Sequence, residues 1–242
     1  MHTRALVATG ALLVAALGCR DDTQSPTEPV SSTAQTVMAA AMALTFSQLS
    51  AGSSHTCGVT TDSRAYCWGQ NALGQLGDGT KRDRGVPVAV AGGLRFRHVS
   101  AGGGYSCGVT TDNRAYCWGY NASGQLGDGT AVDRVTPVAV AGGHSFRQID
   151  VGFRHACGVT TDNRAYCWGY NASGQLGDGT TTVRNTPTAV KGMRQWQQVQ
   201  AGQGHACGVT TDNRAFCWGA NNRGQLGDST LTNRLVPAQV AG

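Results

Sequence analysis

Eight cysteines stand in four pairs, each pair ten residues apart: Cys57 and Cys67, Cys107 and Cys117, Cys157 and Cys167, Cys207 and Cys217. Paired thiols serve either a disulfide or a metal site. Structural zinc uses cysteines roughly two to four residues apart, with Cys or His mates, so this spacing does not suit it. A hairpin accounts for it better. If Thr111-Asp112-Asn113 is a three-residue turn, with Asn113 in the left-handed conformation that Asn tolerates, Thr110 pairs with Arg114 and Cys107 falls opposite Cys117. Non-hydrogen-bonded partners across antiparallel strands have Cα atoms roughly 4.5 Å apart, inside the disulfide range of roughly 4.4–6.8 Å. The register favours the bridges Cys57–Cys67, Cys107–Cys117, Cys157–Cys167 and Cys207–Cys217. A bridge between neighbouring units, such as Cys67 to Cys107, stays open as an alternative, as do a metal and free thiols.

The other polar residues recur with the same regularity. His55, His155 and His205 each precede a Cys by two residues, with Tyr105 in the remaining place. A ring of His would suit a metal, but an imidazole packed at a strand start is the simpler account. Asp78, Asp128, Asp178 and Asp228 lie six residues before Arg84, Arg134, Arg184 and Arg234, a spacing that would let each pair fix a loop. A tight calcium site needs more carboxylates than such a loop holds. The stretch Gly-Gln-Leu-Gly-Asp-Gly-Thr lacks the Lys-Ser/Thr ending of a phosphate loop and opens no helix. No Ser sits in a nucleophile elbow. A residue present in every unit is most simply part of the unit. We therefore expect no catalytic residue, no metal and no cofactor.

What positions these residues is a repeat of 50 residues without slippage. Cys107-Gly-Val-Thr-Thr-Asp-Asn-Arg-Ala-Tyr-Cys-Trp-Gly recurs at Cys157 and, with small changes, at Cys57 and Cys207. Phe46, Phe96, Phe146 and Trp196 open the units, and Pro87, Pro137, Pro187 and Pro237 close them. Each unit reads as four short strands, in the second unit roughly 96–101, 106–110, 114–118 and 138–140, with a long Gly-Asn-Asp loop before the last. Four antiparallel strands in 40 to 50 residues make a propeller blade. The expected fold is all-β: a propeller-type array of four four-stranded blades, as a closed four-blade ring, an open arc or half of a composite ring.

The unit resembles the repeat of the regulator of chromosome condensation family. The matching motifs are Trp68-Gly69-Gln70-Asn71, Gly74-Gln75-Leu76-Gly77-Asp78-Gly79 and Pro87, with their equivalents in the later units. Unit four departs with Ser229 in place of Gly. The resemblance implies propeller blades, usually seven, where this chain has four. In the family it implies protein binding, nucleotide exchange on a small GTPase with chromatin binding, and, in some secreted members, β-lactamase inhibition.

The N-terminal region sets the compartment. Residues 1–19 carry Arg4, an apolar run from Ala5 to Leu17 and an ending Ala16-Leu17-Gly18-Cys19, which resembles a bacterial lipoprotein signal with Cys19 as the acylated residue. The run is too short to span a bilayer comfortably. Residues 20–42, rich in Ser, Thr, Pro and Gln, read as a flexible tether, and 43–242 as the repeat domain. Removing Cys19 leaves an even number of cysteines, and export supplies an oxidising compartment. The expected location is the bacterial cell envelope, outer membrane or cell surface rather than inner membrane, with the lipid as the membrane contact.

Composition narrows the function. The chain of 242 residues carries 17 Arg and 2 Lys against 13 Asp and a single Glu, for a formal charge of +5. The Arg are spread evenly among the Asp, so no nucleic-acid partner is expected. One Glu argues against a propeller enzyme of carbohydrate-active or lyase type, the main alternative function together with an enzyme inhibitor. Export separates the chain from any GTPase of the nucleus. The expected role is a non-catalytic scaffold that binds a protein partner, or another ligand, through its variable loops; a second copy completing a ring is a further option. Alternate loops of a meander fall on opposite faces, and the variable ones share one face. The candidate binding residues are Tyr105, Tyr120, Phe153, Arg154, Tyr170, Gln203 and Arg223, since aromatic residues and Arg anchor interfaces.

Overall fold

A computed structural model describes residues 43–242. The expected signal peptide, the expected tether and Cys19 lie outside the described residues. Each 50-residue unit folds as a four-stranded antiparallel sheet with its strands in sequence order. Blade 1 comprises β1 (Phe46–Ala51), β2 (His55–Thr60), β3 (Ala65–Gly69) and β4 (Arg84–Ala89). Blade 2 comprises β5 (Phe96–Ala101), β6 (Tyr105–Thr110), β7 (Ala115–Gly119) and β8 (Arg134–Ala139). Blade 3 comprises β9 (Phe146–Val151), β10 (His155–Thr160), β11 (Ala165–Gly169) and β12 (Arg184–Ala189). Blade 4 comprises β13 (Trp196–Ala201), β14 (His205–Thr210), β15 (Ala215–Gly219) and β16 (Arg234–Gln239). The first strands of successive blades neighbour one another on the inside of the series.

The turn between second and third strands explains the cysteine register. Asn113 has φ 67°, its N–H donates to the Thr110 carbonyl, and the Thr110 N–H donates to the Arg114 carbonyl. Val109 then pairs with Ala115 and Cys107 with Cys117. The disulfides are Cys57–Cys67, Cys107–Cys117, Cys157–Cys167 and Cys207–Cys217, with Cα atoms 4.0–4.1 Å apart. All four lie within a blade, which removes the interblade, metal and free-thiol alternatives.

The fourth strand differs from its sequence reading. It starts at Arg134, not Val138, because Gly119 pairs with Arg134 across a bulge before the regular pairing of Cys117 with Val138. This outer strand is largely solvent-exposed and carries a Pro in every blade, so it shows no apolar alternation to read.

Each blade has two apolar faces. The front of blade 2 (Phe96, Val99, Ala101, Trp118) packs on the back of blade 1 (Cys57, Val59, Ala65, Cys67, Leu76, Val90). The fronts of blades 3 and 4 pack in the same way on the backs of blades 2 and 3. Trp118, Trp168 and Trp218 are fully buried, and the indole N–H of each donates to the carbonyl of Gln75, Gln125 or Gln175 in the preceding blade at 2.9–3.0 Å. Against each indole lies a Gly with positive φ: at Gly127 a Cβ would sit 2.7 Å from Trp168 Nε1. The sheets do not close into a ring. The array is an open arc, and among the described residues nothing packs on the front of blade 1 or the back of blade 4.

Candidate loop-binding face

The loops between first and second strands converge at the inner edge of the arc. The backbones come so close that only glycine fits: a Cβ on Gly52 would meet the Gly102 carbonyl oxygen at 2.7 Å, and one on Gly102 would meet that of Gly152 at 2.5 Å. Beside this contact line runs a shallow groove of about 430 Å³, lined by Ser53, Gly102, Gly103, Phe153, Gly202 and Gln203 among others. No motif of the sequence marks these glycines as groove-lining. Their recurrence at every fiftieth position was the signal.

Five of the sequence candidates come together here. Phe153 is 41% exposed and lies over Gly103 of the neighbouring blade, where a Cβ would meet its ring at 2.5 Å. The Arg154 guanidinium stands 5.7 Å from the Phe153 ring centre. The Tyr170 N–H donates to the Arg154 carbonyl at 2.9 Å, and the Tyr120 N–H to the Gly104 carbonyl at 3.0 Å. Gln203 is exposed and lines the groove.

Two candidates are not part of this face. Tyr105 is fully buried, and its hydroxyl donates to the His155 carbonyl. It replaces the His of other blades as an interior prop between blades 2 and 3, so it offers nothing to a ligand. Arg223 is exposed but occupies the position at which Leu73 meets Gly104 of the next blade. Blade 4 has no next blade in the arc, and Arg223 stands apart at the open end.

The long loop is held by a buried amide. The Asn121 N–H donates to Asp133 Oδ1 at 2.8 Å. Its side-chain amide donates to Asp128 Oδ1 and the Thr130 carbonyl at 3.2 Å, and its Oδ1 accepts the Leu126 N–H at 2.9 Å. Asp128, its side chain 3% exposed, pairs with Arg134 at 2.8 Å. Burial pushes the Asp128 carboxyl up, but the Thr130 hydroxyl and Arg134 outweigh it and hold the group below the usual carboxylate range. The spacing of six between Asp and Arg marks a loop brace in all four blades, not a ligand site. Among the described residues no group of three or more His, Cys, Asp or Glu is placed to hold a metal.

The histidines are interior residues with unequal partners. His55 is buried and its Nε2 lies 2.8 Å from the Ser106 hydroxyl of blade 2. His155 is fully buried, and both ring nitrogens lack a partner. The residue matching Ser106 in the next blade is Ala206. Burial lowers the pKa of each to about 4, with His205 adding to the shift at His155. Ala206→Ser is expected to supply the missing hydroxyl and raise stability by about 1 kcal/mol, seen as a higher denaturant midpoint with an unchanged slope. An unchanged or lower midpoint would show that the site is already satisfied.

Comparison with known proteins agrees with this architecture. A repeat model of the regulator of chromosome condensation, RCC1, matches residues 62–109, 112–159, 162–209 and 212–242, and a second RCC1 repeat model matches 46–75, 96–125, 146–175 and 196–225. Human WBSCR16 is similar in structure, with TM-score 0.74 and 24% identity, over 81% of this chain and 53% of that one. Yeast RCC1 (Prp20) bound to Kap60 gives TM-score 0.71 and 22% identity, over 83% and 49%. Prp20p from Saccharomyces cerevisiae, described with its binding to Gsp1p and histones, gives TM-score 0.70 and 22% identity, over 83% and 51%. The chain thus spans about half the length of these proteins. No curated protein sequence matches it. With four repeats matched over most of its length and the blade geometry in place, the chain belongs to the regulator of chromosome condensation (RCC1) repeat family.

Proposed function

We propose that this chain is a non-catalytic binding module of the bacterial cell envelope, exported and held by an acyl group on Cys19, which takes a protein partner in the groove at the inner end of its first loops. The carrying observation is Phe153 with Arg154: an exposed aromatic ring beside a guanidinium, at the edge of a groove walled by bare backbone. Such a pair offers a large rigid apolar surface and directed hydrogen-bond donors, the usual makings of a binding hot spot. The groove also presents backbone polar groups and Gln203, which suit an irregular peptide loop. Protein binding by the yeast relative supports the scaffold role. The lipid anchor rests on the residues that precede Cys19, and Arg20 in place of an Asp after it supports the outer membrane or cell surface over the inner membrane.

Capture from cell-envelope extract tests the reading. The full chain should retain a partner whose affinity falls about 10–100-fold in the Phe153→Ala/Arg154→Ala double variant. Both side chains are exposed, so the fold should tolerate the change. Equal capture by both proteins, or capture by neither, would refute this face.

A further inference from the structure

We propose that the two ends of the arc dock on each other between two copies of the chain, the front of blade 1 of one copy against the back of blade 4 of another. This surface is distinct from the loop groove.

The internal junctions show what each end needs. On the fronts of blades 2, 3 and 4, Val99, Ile149 and Val199 are fully buried, whereas their counterpart Leu49 is 58% exposed. On the backs of blades 1, 2 and 3, Ala65, Ala115 and Ala165 are at most 5% exposed, whereas Ala215 is exposed. An apolar knob and an apolar floor, each covered at every internal junction, are therefore left open at opposite ends.

The polar groups are left over in the same complementary way. Trp68 on the front of blade 1 is only partly buried. Its counterparts donate to Gln75, Gln125 and Gln175, and the next residue in that series is Gln225 on blade 4. Gln48 spans the junction between blades 1 and 2, its amide donating to the Val99 carbonyl at 2.8 Å and its Oε1 accepting the Val99 N–H at 3.0 Å. Gln148 holds Val199 in the same way. Gln198 continues that series on blade 4, and Leu49 carries the matching backbone on blade 1. His55 meets the Ser106 hydroxyl; His205 on blade 4 would meet Thr56 on blade 1. Leu49, Trp68 and Thr56 at one end thus correspond to Ala215, Gln225, Gln198 and His205 at the other, in the register that the chain already uses three times.

Such a contact is head-to-tail, so copies either close into a ring or continue as a series. Two copies give eight blades, within the range of known propellers. Sedimentation of the full chain tests the proposal. The parent protein should run above the mass of one 25.0 kDa chain. Leu49→Asp and Ala215→Glu alter side chains already exposed in one copy, so each should leave the thermal midpoint of a single copy in place while weakening association at least about 100-fold. Each variant keeps one intact end. A mixture of the two should therefore form a pair of one copy each, which neither forms alone. A parent protein that stays at the mass of one copy would overturn the proposal. So would association that survives in either single variant, or a mixture that fails to pair.

Discussion

Reducing the four disulfides should unfold the repeat array at ambient temperature. Each bridge joins cysteines ten residues apart, and closing so short a loop contributes about 2.5–3 kcal/mol on the chain-entropy account. Four together come to about 10–12 kcal/mol, which is comparable with the whole stability of an ordinary domain at roughly 5–15 kcal/mol. The bridges are also core material. Cys57, Cys67, Cys107, Cys117, Cys157 and Cys167 are fully buried against the front of the following blade, so separated thiols must be repacked there. Circular dichroism with and without a strong reductant should show loss of the cooperative transition, and Cys107→Ala/Cys117→Ala should cost about 3–5 kcal/mol by denaturant titration. Cys207 is partly exposed on the unpacked back of blade 4, so alkylation under limiting reductant should label Cys207 and Cys217 first. A reduced protein that keeps its transition would show that interblade packing suffices.

Acidification should weaken the fold well before its carboxylates titrate. His55 and His155 are buried with pKa values lowered from 6.5 to about 4. The unfolded chain then takes up protons that the folded chain refuses, so stability rises with pH wherever the unfolded histidines are charged and the folded ones are not. Their contribution is complete above pH 6.5 and is lost as pH falls toward 4. On the order of 2–3 kcal/mol per histidine is at stake over that window. The Asp78 and Asp128 carboxyls, held below their usual range, lose their contribution only at lower pH. Urea midpoints between pH 7 and pH 4 should fall steeply, and His155→Tyr should flatten the slope. Blade 2 already accommodates Tyr105 at this position, so the exchange should fold. A stability that stays level down to pH 4 would show that both histidines reach water when charged.

The period of 50 residues and the hairpin turn carry most of the fold. With Asn113 fixed as the left-handed residue of a three-residue turn, the pairing of Cys107 with Cys117 is a matter of counting outward. The brace between Asp128 and Arg134 is legible for the same reason, since both ends lie in one loop. The start of β8 at Arg134 is not, because an exposed edge strand is shaped by a bulge and not by burial. Tyr105, expected on the ligand face, is buried instead: it occupies the histidine column, whose other members are themselves interior. The solitary state of His155 depends on Ala206, one blade away, and no local pattern announces it. Phe153 and Arg154 break the repeat where the scaffold gives no reason for them, and the structure leaves both side chains exposed.

The unequal partners of the histidines bear on how so repetitive a chain keeps its order while folding. Near-identical surfaces invite a blade to stack on the wrong neighbour and loop out fifty residues, a typical failure of repeat proteins. A slip that set blade 1 against blade 3 would place His55 opposite Ala156, which has no hydroxyl, in place of Ser106. A slip that set blade 2 against blade 4 would only exchange Ala156 for Ala206 at the same position and would go unpunished there. Discrimination is thus concentrated in the first pair of blades, which leave the ribosome earliest and provide the frame on which the later, less selective ones are laid.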